Sequence, residues 1–358
     1  MNEQMRINDW LDRYGLASGA LPKGPRNAIT DVAGVLVGHV TLAQGDAQTG
    51  VTAVVPAPGS LFQNKLIAAS HVINGFGKSA GLVQIDELGT LETPIVLTNT
   101  LSVGDAWKGL SRWMIDRESA IGRTAGTVNP VVCECNDSFL NDSRAQFVTP
   151  EMVDQALAAA GADFDLGAVG AGRGMSCYQF KGGIGTASRV VTAGSRSYTL
   201  GALALTNFGE MAEFTLGGQP SGAEADALFK AEPLKEQGSC IVILAMDAPF
   251  TARQLKRLCK RATAGITRTG STIGHGSGEI AIAFSTAQRV PMAAKGELTL
   301  RAMSDNDANL FFRAVIEAVN ECVISSMLAA DTVTGRAGHT RRSLREFAGR
   351  VAGLPAAR

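Results

Sequence analysis

A serine hydroxyl stands at a boundary in the segment Lys235–Asp247, KEQGSCIVILAMD, where a polar run meets a run of strand-forming residues at Gly238–Ser239. Ser239 is thus the first residue of an expected buried strand, with a glycine carbonyl immediately before it. A second polar group lies in GHGSGEIAIAF, Gly274–Phe284. There Ser277 and Glu279 are two residues apart, so on a strand they point to one side. A hydroxyl beside a carboxylate at a strand start can orient and polarise a nucleophile. The same residues in a glycine-rich hairpin loop would be incidental, and the pattern alone favours that loop. A third candidate is GKSAG, Gly77–Gly81, which matches the G-x-S-x-G nucleophile elbow, with His275 or His339 available in Ser–Asp–His order. The elbow needs a strand running straight into the serine, and Asn74-Gly75-Phe76-Gly77 interrupts it.

Two further chemistries are excluded by spacing. GAGRG, Gly170–Gly174, is not G-x-G-x-x-G, and GFGKS, Gly75–Ser79, lacks the first glycine of a phosphate-binding loop because position 72 is Val72. Cys133-Glu134-Cys135 has no second ligand pair at zinc-site spacing, so no metal is expected.

The elements that must position these groups alternate. Expected strands are Gly34–Val40, Thr52–Pro56, Ile95–Thr98, Pro130–Cys135, Tyr198–Thr206, Cys240–Ala245, Glu279–Phe284 and Leu298–Arg301. Several are apolar on both faces, as in sheets covered on both sides. Expected helices are Gly104–Arg117, Pro150–Ala160, Thr251–Gly265 and Ala308–Ala330, the last opened by Asp305 and Asp307, which complement its dipole. Arg253–Arg261, RQLKRLCKR, reads as an amphipathic helix with a solvated basic face. Phe214–Gln237, rich in Gly, Pro, Ala and charge, reads as an exposed, partly disordered linker, and Val169–Gly185 as a glycine-rich loop region. The whole is a layered α/β chain.

Bulk properties agree with a globular α/β chain. Of 358 residues, 45% are hydrophobic, and 33 basic residues balance 33 acidic ones, so no basic stripe points to nucleic acid. The 41 glycines exceed ordinary usage and supply tight turns around a site. The first residues carry charge without an apolar core, so no signal peptide is read and a cytoplasmic location is expected, with no membrane span. The six cysteines, four of them in apolar runs, are then expected as buried, reduced thiols.

Longer stretches narrow the reading. NAITDVAGVLVGHVT (Asn27–Thr41), SHVINGFGKSAGL, LETPIVLTNTLSVG, CECNDSFLND, CYQFKGGIGTASR, GSCIVILAMDAP, RTGSTIGHGSGEIAIAFST and ADTVTGRAGHT follow one another along the chain. In this order they resemble, nearly end to end, the DmpA/BapA family of self-processing serine aminopeptidases, comprising L-aminopeptidase/D-amidase-esterases and β-aminopeptidases. The resemblance implies a four-layer αββα sandwich of the DmpA/ornithine acetyltransferase-like type. It implies one domain over 1–358, made as a precursor and cut between Gly238 and Ser239 into an α subunit, 1–238, and a β subunit, 239–358. By the same resemblance Ser239 is the nucleophile, Ser277 and Glu279 orient its freed amine and hydroxyl, and Asn207 donates to the oxyanion. Glu134 and Phe139 fall among the substrate-binding positions, Glu134 as the carboxylate for the substrate's ammonium. Relatives often carry Tyr where this chain has Phe139, so that hydroxyl is missing here.

The implied activity is release of small L-, D-Ala or β-amino acids from short peptides, amides and esters with a free amine, without a cofactor, by a homotetramer of αβ units. The competing readings are an amidase or acyltransferase on non-peptide amides, and an uncleaved, inactive oligomeric binding protein.

Overall fold

The computed structural model describes residues 7–229 and 238–357. After the one-turn helix α1 (Trp10–Arg13) come strands β1 (Leu36–Gln44), β2 (Ala47–Val55) and β3 (Asn64–Gly75). Helix α2 (Leu82–Leu88), strands β4 (Thr90–Leu91) and β5 (Ile95–Asn99), helix α3 (Val103–Arg117), strand β6 (Val131–Cys135) and helix α4 (Pro150–Ala158) follow. A small hairpin, β7 (Ser176–Cys177) and β8 (Phe180–Lys181), leads into the long pair β9 (Gly183–Ala193) and β10 (Arg196–Asn207). The remainder is α5 (Ser221–Phe229), β11 (Ser239–Met246), α6 (Ala252–Thr267), β12 (Gly278–Pro291), α7 (Ala308–Leu328) and a last hairpin, β13 (Val333–Thr334) with β14 (Thr340–Arg341).

The strands form two main sheets, ordered β1-β2-β5-β6 and β4-β3-β12-β11-β10-β9. The pairs β5–β6 and β11–β12 are parallel. Side-chain alternation divides the core into three layers. Between the sheets lie Val54, Ile95, Cys133, Ile241, Ile243, Ile282 and Phe284. Outside the larger sheet, Val242, Leu244 and Met246 pack with Leu255, Leu258, Val315 and Val319 of α6 and α7. Outside the smaller sheet, Val96 and Val132 pack with Leu110, Met114 and Val153 of α3 and α4. Strand β11 is apolar on both faces because it is covered on both, which gives the αββα order of layers.

Local signals start the helices. Thr251 caps α6: its Oγ1 accepts from the Gln254 N–H at 3.3 Å, and Gln254 Oε1 accepts from the Thr251 N–H at 3.1 Å. The basic face of α6 is only partly solvated, since the Arg261 guanidinium lies 3.9 Å from the Phe312 ring centroid. Helix α7 turns Glu317 and Glu321 inward, where the buried Arg189 of β9 pairs with them at 3.3 and 2.7 Å.

Three expectations are corrected. Leu298–Arg301 is not a strand; it is exposed, irregular chain without a ladder partner among the described residues, and a strand needs one. Phe214–Gln237 is not an open linker over its described part. Phe214 and Leu216 are buried, and residues 221–229 form α5, docked on the C-terminal segment where the Ala352 N–H donates to Glu224 at 2.6 Å. Residues 230–237 of that stretch lie outside the described residues. The glycine-rich Val169–Gly185 region holds the β7–β8 hairpin and the start of β9. Strands β3 and β9 were not among the expected ones. No helix among the described residues is long and apolar enough to cross a membrane.

Candidate active site

Three neighbouring strand ends of the larger sheet meet at Ser239. The antiparallel register sets Asn207, the last residue of β10, opposite Ser239, the first of β11. The parallel register on the other side sets Ser239 opposite Gly278, the first of β12. Gly278 therefore stands between the two polar residues Ser277 and Glu279, and the Ser277 hydroxyl donates to the Glu279 carboxylate. Both side chains are wholly buried, so that hydrogen bond is screened from water.

The bond before Ser239 is held by the first rung of the parallel ladder. The Gly278 N–H donates to the Gly238 carbonyl at 3.0 Å. No side chain fits at either glycine: a Cβ on Gly238 would come within 2.8 Å of the Phe208 Cα, and one on Gly278 within 2.5 Å of the Phe76 carbonyl oxygen. The Ser239 hydroxyl is buried, and its side-chain neighbour is the Cys135 thiol of the facing sheet. Burial, with the nearby Glu134 charge, pushes that thiol well above the ordinary cysteine value, so it stays neutral and does not compete as a nucleophile.

Asn207 is oriented by a backbone donor. Its Oδ1 accepts from the Ser176 N–H at 2.9 Å, and an N–H bonds only the oxygen end of the amide. The Nδ2 is thereby the end left to donate beside Ser239.

Glu134 enters from the other sheet. Its Oε1 accepts from the Lys78 N–H at 2.9 Å and its Oε2 from the Thr100 hydroxyl, so a carboxylate is fixed on a cleft that Ser239, Gly238, Thr100, Asn136, Phe76 and Gly276 also line. The free volume of the cleft is about 30 Å³, room for little beyond water.

Other candidates separate from this cluster. Phe139 does not line the cleft; its ring lies edge-on to His339, with centroids 4.6 Å apart, and under Arg341. The Ser79 hydroxyl of the GKSAG motif lies against the buried Cys133 thiol, and β3 stops at Gly75, so no elbow forms. Cys133 and Cys135 point between the sheets while Glu134 reaches the cleft, and all six cysteines are free and buried.

One site residue was not singled out from sequence. Asn74, near the end of β3, donates from Nδ2 to the carbonyls of Gly274 (3.0 Å), His275 (3.3 Å) and Ser277. It fixes the loop that delivers Ser277. The signal was a polar side chain between two apolar residues and the glycine that ends the run, VING.

Known proteins share this architecture. The model of peptidase family S58 matches residues 27–341. The β-peptidyl aminopeptidase BapA of Sphingosinicella microcystinivorans is 38% identical over 345 residues, 90% of this chain and 86% of that protein. A solved protein of Pyrococcus horikoshii OT3 superposes with a TM-score of 0.89 at 47% identity, covering 93% of this chain and 95% of the other. The L-aminopeptidase D-Ala-esterase/amidase of Ochrobactrum anthropi superposes with a TM-score of 0.84 at 36% identity, covering 93% and 97%. That structure is described as a prototype for the serine aminopeptidases and a new variant among the Ntn hydrolase fold.

Proposed function

The chain belongs to peptidase family S58, a hydrolase of the serine aminopeptidase class, and from that premise we propose that it cuts itself between Gly238 and Ser239 and then uses Ser239 to release N-terminal residues from short peptides, amides and esters. The observation that carries this reading is the Gly278 N–H on the Gly238 carbonyl, immediately before a buried serine hydroxyl.

In the first reaction Ser239 Oγ attacks the Gly238 carbonyl carbon. The carbonyl oxygen becomes an oxyanion, which the Gly278 N–H stabilises. The C–N bond breaks, the hydroxyl proton passes to the departing Ser239 nitrogen, and an ester joins Gly238 to Oγ. Water then opens the ester, leaving a carboxylate on Gly238 and a free amine on Ser239.

In the second reaction that amine acts as base. Its ordinary pKa is about 7.7–8.0, so roughly a quarter to two-fifths of it is neutral near pH 7.5. Ser239 Oγ attacks the substrate carbonyl while the amine takes its proton, an arrangement known for nucleophiles that carry their own terminal amine. Ser277 and Glu279 orient the amine, and Asn207 Nδ2 donates to the oxyanion. The amine returns the proton to the leaving group, and water hydrolyses the acyl ester. Glu134 takes the substrate's ammonium.

β-Amino acyl groups head the order of substrates, because a relative covering most of the chain is a β-peptidyl aminopeptidase; D-Ala and small L-residues follow from the Ochrobactrum anthropi protein. The assembly proposed is a homotetramer of αβ units.

Intact-mass measurement on purified protein tests the self-cleavage. The wild type is expected as two polypeptides broken after Gly238, and Ser239→Ala as a single one. A Ser239→Ala protein that still breaks there refutes it. Turnover of β-Ala-, D-Ala- and L-Ala-p-nitroanilide then ranks the acyl groups.

A further inference from the structure

Asn207 stands opposite Ser239 in the ladder, and its Oδ1 is held by the Ser176 N–H at 2.9 Å, which leaves Nδ2 as the free end of the amide. Ser176 belongs to the two-residue strand β7, and its hairpin with β8 turns through Tyr178 and Gln179, both with positive φ, 50° and 62°. Such a turn does not hold itself in place. Two buried basic side chains hold it. The Lys181 side-chain nitrogen, fully buried, bonds the carbonyls of Gly172, Met175 and Gly182 at 2.9, 2.7 and 2.8 Å. Arg341 donates from Nε to the Ser176 hydroxyl at 3.1 Å, and the next residue's carbonyl, Arg342, accepts from the Lys181 N–H at 2.7 Å.

Arg341 is itself fixed. It is 2% exposed, and its guanidinium carbon lies 3.5 Å from the centroid of the Phe139 ring. A planar guanidinium stacked on an aromatic face keeps its donors in a set plane, which a lysine ammonium does not. The contacts run in one line: Phe139 under Arg341, Arg341 to Ser176, Ser176 to Asn207.

We propose that Arg341 is a positioning residue for the oxyanion donor, acting through Ser176 on Asn207, with Phe139 as its platform. The inference rests on the reading of Asn207 as that donor. It also gives Phe139 a task at a distance from the cleft it does not line. Arg341 lies after the proposed cut, and Ser176 and Asn207 lie before it, so one fragment sets the donor carried by the other.

The test uses Ser176→Ala, Arg341→Lys and Arg341→Met, each alone and combined with Asn207→Ala. Turnover of β-Ala-p-nitroanilide is expressed per cleaved chain. Misplacing a catalytic group by a fraction of an ångström costs on the order of tenfold in kcat, and that loss, with KM little changed, is expected for Ser176→Ala and both Arg341 variants. Each double variant is expected to be no slower than Asn207→Ala alone, because the relay has nothing left to position. Ser176→Ala keeps the backbone N–H and removes only the hydroxyl, so it reports even where Arg341→Met does not fold. Full turnover by Ser176→Ala, or losses that multiply in the double variants, overturns the relay while leaving Asn207 in its role. Full turnover by Asn207→Ala overturns the reading of Asn207, and the relay with it.

Discussion

Glu134 carries a distinction between the two proposed reactions. In the uncut chain the group before the scissile carbonyl is the Gly238 peptide nitrogen, which has no charge. A substrate presents an ammonium there. Removing the carboxylate with Glu134→Gln is therefore expected to leave self-cleavage intact and to lower kcat/KM on free-amine substrates. A hydrogen bond to a charged group contributes roughly 1.5–3 kcal/mol, so the loss is on the order of tenfold to a hundredfold. Intact mass and nitroanilide kinetics on the same preparation check both halves. A Glu134→Gln protein that is uncut, or cut and fully active, contradicts the assignment. Little of this was legible from single residues. Ser277 and Glu279 read rather as incidental loop residues until the resemblance gave them roles, and the structure puts their side chains in contact. Arg341 could not be found at all: its partner Ser176 is far away in sequence, and nothing local marks it.

Strand β9 shows why an element can be misread. Its first residues, Gly183-Ile184-Gly185, carry the composition of a loop. Gly185 is there because α7 packs against the strand without space for a side chain: a Cβ on it would come within 1.8 Å of the Cys322 carbonyl oxygen, and one on Gly183 within 2.0 Å of the Gly167 carbonyl oxygen. A close helix–strand approach and a flexible turn use the same residue, and sequence alone does not tell them apart. Gly185→Ala is expected to push α7 outward and destabilise the protein by about 1–3 kcal/mol. Denaturant unfolding measures this, and an unchanged midpoint contradicts the packing account. Strand β3 was hidden for another reason, since its NKLIAASHVING run mixes Asn, Lys, Ser and His into a strand that ends beside the solvent-facing cleft. The strands with Val, Ile and Leu on both faces, and the four long helices, were legible because burial on two sides leaves a continuous apolar run, and a helix buried on one side leaves a stripe.

Over the whole molecule, the proposed cut divides one sheet between two polypeptides. Strands β11 and β12 of the second fragment lie between β10 and β3 of the first, so the fragments share their central ladders. A buried ion network adds to this. Arg189, Lys23 and Asn27 of the first fragment all reach Glu321 on α7 of the second, at 2.7, 3.0 and 2.8 Å. Burial pushes the Glu321 carboxyl up, but Arg189 and Lys23 outweigh it and hold it below the ordinary value of 4.5. A lowered folded value means stability that is present above pH 4.5 and lost as pH falls below it through the folded value. Thermal melts from pH 7 downward are expected to show that loss, and Glu321→Gln to weaken it. At pH 7 the same variant is expected to cost about 3–5 kcal/mol, since it leaves buried cations without their anion. Equal melting of both proteins at pH 7 contradicts the clamp. The rung from the Gly278 N–H to the Gly238 carbonyl has a last consequence, in time. Gly278 is translated after Ser239, so a nascent chain on the ribosome has neither that rung nor the Ser277–Glu279 pair while β11 is already made. On the proposed chemistry, a polypeptide whose synthesis stops early stays a harmless single piece, and peptidase activity is withheld until the last central strand has been laid beside the bond it helps to break.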